Sequence, residues 1–315
     1  MEPIFLTPVY KEIIWGGTNF KRLYNRDIPS EKTAESWEIC AHKNGTSEVQ
    51  NGQFKGMLLD ELFNSELKEK VFGKKCSNLN KFPVLNKFID ANDKLSIQVH
   101  PDDEYAKNVE NDVGKTEMWY IVDAKENAQI IYGLKEGTTK EDFKTSILNG
   151  KPEDMLNYVP VNKGDVIFIP AGTIHAILDG IIIYEIQQNS DITYRVFDWN
   201  RLDKDGNSRE LHVEKAIDVT NFNFKANVKK SNTTGEQDIV NNEYFNMSKI
   251  CVDGEYVSIS NEDTFYAITV VDGSGKLVSN GNEYELISGT SFIIPALLGE
   301  FSIKSDKMEI IKTYL

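Results

Sequence analysis

Apolar and polar residues alternate singly through long parts of this chain, the two-residue period of a strand whose faces meet different surroundings. The clearest case is Leu95-Ser96-Ile97-Gln98-Val99-His100. Leu95, Ile97 and Val99 share one face, and Ser96, Gln98 and His100 share the other. The same reading predicts strands at Phe82–Phe88 and Leu95–Val99, joined by an Asp-Ala-Asn-Asp turn, and at Thr116–Val122, Asp165–Ile169, His175–Leu178, Ile181–Gln187 and Thr193–Phe197. Two stretches break the alternation. Leu58, Leu59, Leu62, Phe63, Leu67, Val71 and Phe72 recur at helical intervals, which predicts one amphipathic helix or two short ones near 58–73. A second helical segment is expected over 139–157, with Thr139 as its cap, Glu141 and Asp142 in its first turn and Asn149-Gly150 interrupting it.

The pattern also repeats. Gly164-Asp165-Val166-Ile167-Phe168-Ile169-Pro170-Ala171 is echoed by Gly289-Thr290-Ser291-Phe292-Ile293-Ile294-Pro295-Ala296. The constant offset pairs His175 with Glu300, so the second copy keeps the shape and loses the histidine. A polar stretch over Lys229–Gly235 reads as a linker. Many short strands, glycine turns and few helices predict a mainly β protein of two cupin-like jelly-roll domains with a small helical insertion. The expected division is 1–225 for a metal-binding domain and 226–315 for its degenerate partner.

Charge narrows the partners. A formal net charge of −14 excludes general binding to nucleic acid or to an anionic membrane, since no basic field would hold either. An anionic small substrate then requires a local cluster of cations. No apolar run approaches the roughly 20 residues of a membrane helix, and the N-terminus lacks a signal-peptide pattern. Cys40, Cys76 and Cys251 are scattered without a CxxC spacing, as expected of reduced thiols in a cytoplasmic protein.

Against that background a few residues stand out as chemistry. The polar face of the 95–100 strand carries an amide and an imidazole. Glu117 lies in Gly114-Lys115-Thr116-Glu117-Met118-Trp119-Tyr120, and His175 closes the glycine-flanked strand and turn that begin at Gly164. Gln98, His100, Glu117 and His175 make a ligand set for one divalent metal, because imidazole nitrogen with carboxylate and amide oxygen suits zinc and other first-row ions. His42 and His212 lack partners at useful spacing and are read as structural. Lys87, Lys115 and Arg195 accumulate near the proposed ligands, where together with a metal they could hold an anionic group and a developing oxyanion.

These residues resemble a known family, the type I, zinc-dependent mannose-6-phosphate isomerases in their short bacterial form. The resemblance runs from Pro8-Val9-Tyr10 and Trp15-Gly16-Gly17 through Ser36-Trp37-Glu38 and Gln98-Val99-His100-Pro101-Asp102-Asp103. It continues through Lys115-Thr116-Glu117-Met118-Trp119 and Pro170-Ala171-Gly172-Thr173-Ile174-His175-Ala176 to Tyr194-Arg195-Val196-Phe197-Asp198-Trp199. It implies one zinc per chain held by Gln98, His100, Glu117 and His175. It also implies Arg195 in catalysis, and Lys87, Ser96 and Lys115 in contact with phosphate or sugar.

The implied activity is the reversible interconversion of mannose 6-phosphate and fructose 6-phosphate, a proton shift between C1 and C2 of the open-chain sugar through an enediolate. The metal is expected to act as a Lewis acid and Arg195 to stabilise the negative charge. The sequence leaves two candidates for carrying the proton, Lys115 and a metal-bound water. Two rivals stand beside this reading, a metal-dependent cupin oxygenase and a non-catalytic sugar-binding cupin. Oxygenases of that type commonly pair His-x-His with a glutamate a few residues on. Here the pair is Gln-x-His and the glutamate is distant, and the intact ligand set speaks against a purely binding role.

Overall fold

In the computed structural model of the protein, residues 1–202 and 205–315 are described, and antiparallel strands dominate. The first half is two facing sheets. A seven-stranded sheet runs Val228–Lys230, Asp165–Ile169, Glu117–Ala124, Ile181–Gln188, Val84–Ala91, Thr33–Ile39, Val9–Gly17. A five-stranded sheet runs Leu156–Pro160, Gln129–Leu134, His175–Ile177, Ile97–Val99, Tyr194–Phe197. The alternation of the 95–100 segment is thus realised as a short strand with Ser96 and His100 flanking it.

Side-chain alternation decides what each face meets. Ile121, Ile167 and Ile183 of the larger sheet pack against Ile130 and Ile177 of the smaller one. On the opposite face of the larger sheet, Phe88, Tyr120 and Tyr184 pack against Met247, Ala267 and Ile311 of the second half. The two central strands, Val84–Ala91 and Ile181–Gln188, are therefore buried along their whole length. Polar residues in them must find partners inside the protein.

The helical segment near 58–73 is two short helices, Leu59–Phe63 and Lys68–Phe72. Their Phe63 and Phe72 form a cluster of tilted and edge-on rings with Phe82 and Phe265. The second helix is shorter than its expected span. It covers Lys140–Leu148, with the Thr139 hydroxyl accepting from the Asp142 N–H at 3.1 Å. Asn149-Gly150 ends it rather than interrupting it, since Gly150 takes a positive φ of 67°. A 3₁₀ turn and the strand Leu156–Pro160 follow. This helix and Val213–Val219 cover the outer face of the five-stranded sheet.

The second half is one large sheet that curls round its own core of Ile268, Leu277, Phe292, Phe301 and Ile303. Register shifts at Val252/Gly254 and Val270/Asp272 let its long strands bend. Two strands cross the expected division near residue 225. Ile4–Thr7 joins the second half through Ile4↔Ile293 and Phe5↔Phe292. Val228–Lys230 pairs back onto Asp165–Ile167. A buried network reinforces the seam. Arg26 grips Glu38 through two bonds of 2.7 and 2.9 Å, the Ser291 hydroxyl donates to the same carboxylate at 2.9 Å, and Arg26 also donates to the Gly289 carbonyl.

Cys40 and Cys76 are buried and Cys251 half-buried, all as free thiols. Among the described residues no helix is long and apolar enough to cross a membrane.

Candidate active site

The two sheets bring complementary rows of side chains face to face. On the five-stranded sheet His175 pairs in register with Gln98, and Gln98 with Arg195. On the seven-stranded sheet Glu117 pairs with Gln187, and two residues along each strand Trp119, Glu185 and Lys87 stand in line. His100 follows the strand that carries Gln98, and its carbonyl accepts the Gly172 N–H at 2.8 Å, tying it to the turn before His175. A cleft of about 350 Å³ opens here. Ser96, Gln98, Lys115, Glu117, Lys87 and Arg195 all line it.

The ring orientations follow from hydrogen bonds to carbonyls. His100 Nδ1 lies 2.7 Å from the Ile192 carbonyl, and His175 Nδ1 lies 2.9 Å from the Thr173 carbonyl. A carbonyl can only accept, so both Nδ1 atoms carry the proton and both Nε2 atoms present lone pairs. Those lone pairs converge on Glu117, with His100 Nε2 at 3.2 Å from one carboxylate oxygen and His175 Nε2 at 3.5 Å from the other. The three ligand atoms lie within 4.8 Å of one another.

Charge states fit the same centre. Burial pushes His100 down to about 3, with the Lys115 ammonium adding to the effect, and burial also lowers His175. Both imidazoles are therefore held neutral, the form that binds metal. Burial works to raise Glu117, but the Lys115 ammonium beside it opposes burial, and the carboxyl is held well below its usual range. Lys115 Nζ sits 2.8 Å from Glu117 and 3.3 Å from His100 Nε2.

The donor set fits a divalent metal on a specific observation. Both Glu117 oxygens are buried and accept no hydrogen bond of good geometry. Apart from the Lys115 ammonium beside one of them, these buried acceptors face only imidazole lone pairs, which is costly, and a cation between the carboxylate and the two imidazoles removes that cost. Gln98 lies alongside. Its Nε2 is 3.3 Å from His175 Nε2, while the Ser96 hydroxyl donates to its Oε1 at 3.3 Å. A half turn of the terminal amide exchanges the two atoms and directs the oxygen inward.

The remaining candidates form the walls. Lys87 is buried between Glu35 at 3.3 Å and Glu185 at 3.1 Å, and those carboxylates raise its pKa against the effect of burial. Arg195 donates to the Glu210 carbonyl at 3.3 Å, and its Nε has no partner. Among the described residues no carboxylate lies at ion-pairing distance from it. His42 and His212 stay outside the cluster. His42 packs edge-on to Trp37, and the His212 ring accepts the Arg195 backbone N–H.

Sequence reasoning missed Glu35, Glu185 and Gln187. Burial and the nearby Glu117 charge push Glu185 up to about 7, against the pull of Lys87, while Trp119 Nε1 donates to it at 2.7 Å. The signal was present in Ile183-Tyr184-Glu185-Ile186-Gln187, where polar residues interrupt a strand that is otherwise apolar on both faces.

Comparison with known proteins agrees with this geometry. Residues 4–144 match the family described as phosphomannose isomerase type I, catalytic domain, and residues 235–315 match mannose-6-phosphate isomerase, cupin domain. A mannose-6-phosphate isomerase of Bacillus subtilis is 40% identical over 312 residues, covering 96% of each chain. That of Streptococcus mutans is 40% identical over 317 residues, covering 99% of this chain and 98% of its own. The crystal structure of a mannose 6-phosphate isomerase from Bacillus subtilis superposes with a TM-score of 0.92 at 39% identity, covering 99% of both chains. A second solved mannose 6-phosphate isomerase, bound with zinc and yttrium, shares the fold at a TM-score of 0.79 and 18% identity, covering 99% of both. This chain belongs to the type I phosphomannose isomerases, the enzymes that interconvert mannose 6-phosphate and fructose 6-phosphate.

Proposed function

We propose that this isomerase works with one zinc ion held by His100, Glu117 and His175, with Gln98 as fourth ligand, and that Arg195 and Lys115 act on the sugar beside it. The observation that carries the assignment is the Glu117 carboxylate, buried between two imidazoles whose lone pairs point at it, with the Lys115 ammonium at one of its oxygens. The solved relative with zinc supports that choice of metal. Zinc in this position supplies a Lewis acid that polarises the sugar carbonyl and so acidifies the carbon-bound proton.

The protein's own groups do the rest. Arg195 directs a guanidinium with an unpartnered Nε to the oxygens on which negative charge grows as the enediolate forms. Lys115 lies at the Glu117 edge of the same oxygens and donates to them. Glu185 stands on the cleft wall with its carboxyl raised by burial and held beside Lys87, and it carries the proton between C1 and C2. Ser96 fixes the Gln98 amide. Lys87 commits two of its three donors to Glu35 and Glu185 and keeps one for a sugar phosphate oxygen. A phosphorylated metabolite and free thiols suit the cytoplasm.

A coupled assay that follows fructose 6-phosphate formation from mannose 6-phosphate, before and after chelation, tests the reading. Turnover should vanish on chelation and return with zinc. Full turnover in chelated protein containing less than a tenth of an equivalent of metal would overturn it.

A further inference from the structure

The strand that carries Glu117 begins beside a side chain that does the work of a backbone carbonyl. The ladder between Glu117–Ala124 and Ile181–Gln188 ends at the pair Gln187↔Glu117, and its next step would set Thr116 opposite Gln188. Backbone makes only half of that step. The Gln188 N–H donates to the Thr116 carbonyl at 3.1 Å. The return bond is missing, because the Gln188 carbonyl is turned into the bend that follows. There it accepts the Ser190 N–H at 2.7 Å and the Gln187 amide at 2.9 Å. The Gln188 side chain folds back in its place, and its Oε1 accepts the Thr116 N–H at 2.9 Å. A buried N–H must be paired, so this substitution decides where Thr116 sits.

The other end of the same amide reaches a second segment. Nε2 donates to the Asp103 Oδ1 at 2.9 Å, and the Gly114 N–H donates to that oxygen at 2.7 Å. The Lys115 N–H donates to the Pro101 carbonyl at 3.0 Å. The successive N–H groups of Gly114, Lys115 and Thr116 are thus held by Asp103, Pro101 and Gln188 rather than by a strand. The two segments lie close enough that a Cβ on Gly114 would stand 2.6 Å from the Asp103 nitrogen. Gln188 is almost fully buried, and its amide is oriented by a donor at one end and a carboxylate at the other.

We propose that Gln188 is a positioning residue of the metal centre, whose amide sets the spacing between the segments that carry His100 and Glu117. The inference rests on the reading that a metal sits at His100, Glu117 and His175. His100 directly precedes Pro101 and follows a strand of the five-stranded sheet, while Glu117 directly follows Thr116 and opens a strand of the seven-stranded sheet. No ladder joins those sheets, so the distance between the two ligands is fixed across the gap. Gln188 spans it, holding Thr116 with one end and Asp103 with the other. Lys115 lies in the segment so held, and its place beside Glu117 follows from the same clamp. Groups that orient metal ligands without touching the ion commonly govern its affinity.

The test measures zinc affinity by competition with a chromogenic chelator, hydrogen exchange of the Thr116 N–H in the metal-free chain, and the melting temperature. Gln188→Met keeps the length and removes both amide bonds. Gln188→Glu keeps an acceptor for Thr116 but sets a second carboxylate oxygen against Asp103. Each variant should bind zinc about 10–100-fold more weakly than the parent. Gln188→Met should also exchange the Thr116 N–H faster, because its acceptor is gone. Arg26→Ala, which opens the seam between the halves, serves as the control for lost stability and should leave zinc affinity unchanged. If Gln188→Met does not fold, the affinity of Gln188→Glu decides. A folded Gln188→Met or Gln188→Glu that melts lower but binds zinc as tightly as the parent overturns the proposal. So does Arg26→Ala losing zinc affinity in the same proportion, since the loss then follows stability alone. A parent that binds no zinc overturns the metal reading together with this one, whereas a zinc-binding parent matched by its Gln188 variants overturns this one alone.

Discussion

Removing Arg195 separates a structural from a catalytic cation. A salt-bridged arginine at a sheet edge is worth about 0–1 kcal/mol of stability and nothing in turnover. Arg195 is a different case. Its only bond to the described residues through the guanidinium is a 3.3 Å donation to the Glu210 carbonyl, and its Nε is buried without a partner. Burial and the neighbouring Arg209 both disfavour its charge and lower its pKa, yet the guanidinium stays ionised. A cation retained at that cost in a cleft opposite Glu117 is set against a negative charge that forms during reaction. Losing one preorganised donor to such an oxyanion costs roughly 2.7–4 kcal/mol of barrier, about 10²–10³ in turnover. Arg195→Ala should therefore keep its metal and its melting temperature while kcat falls on that scale. Arg195→Lys should recover part of the loss, since an ammonium lacks the planar fork of donors. The measurements are kcat from the coupled assay, metal content by elemental analysis and a thermal melt. A folded, metal-loaded Arg195→Ala protein within a few-fold of the parent would refute the argument.

Two further outcomes follow from charges buried elsewhere. Glu185 acts as a base when ionised, so kcat/KM should fall on an acid limb as the carboxyl, held near 7 in the metal-free chain, takes up a proton. A cation on Glu117 weakens that carboxylate's upward push, so the limb should lie at or below 7. Glu185→Gln should abolish it, and an unchanged limb in that variant would assign it to another group. Arg26→Ala leaves the buried Glu38 carboxylate unpaired at the seam between the halves, and should cost about 3–5 kcal/mol in urea unfolding; a loss under 1 kcal/mol would show the seam to be held by packing alone.

What could be read from the sequence was local. Period-two alternation located the strand within Leu95–Val99, and continuous apolar runs bounded by glycine turns located Asp165–Ile169 and Ile181–Gln187, because both patterns are written in consecutive residues. His100, Glu117 and His175, which the fold brings together, were visible as polar residues in short motifs. What stayed hidden depends on register between distant strands. Glu117 stands beside Gln187 only because two strands 70 residues apart pair antiparallel at that position. Lys87 finds Glu35 and Glu185 on neighbouring strands, so a residue that reads as a free cation in sequence is already matched by two carboxylates. The strand Ile4–Thr7 looks like the start of the first domain and is hydrogen-bonded into the second. No window of consecutive residues carries such information.

The repeat makes a quantitative claim about the metal. Gly164 and Gly289 both adopt a φ of 88°, and the strands that follow them, Asp165–Ile169 and Ser291–Ile294, have the same place in the two copies. Beyond them the copies diverge. His175 is fully buried and turns its Nε2 towards Glu117, whereas its counterpart Glu300 is exposed at the start of a strand. The interior of the second copy is filled instead by Phe292, Ile294, Phe301 and Ile303. An apolar core of that kind offers a divalent cation no ligand to replace its water. Among the described residues the only group of histidine, cysteine and carboxylate side chains close enough to share a metal is His100, Glu117 and His175. Purified protein should therefore hold one tightly bound metal per chain. His100→Ala and His175→Ala should each reduce that to near zero, since the three remaining groups then include a single imidazole and leave one side of the ion open to water. Elemental analysis returning two equivalents, with one surviving in His175→Ala, would mean that the second half has kept a site of its own and that the loss of the histidine at position 300 was compensated elsewhere.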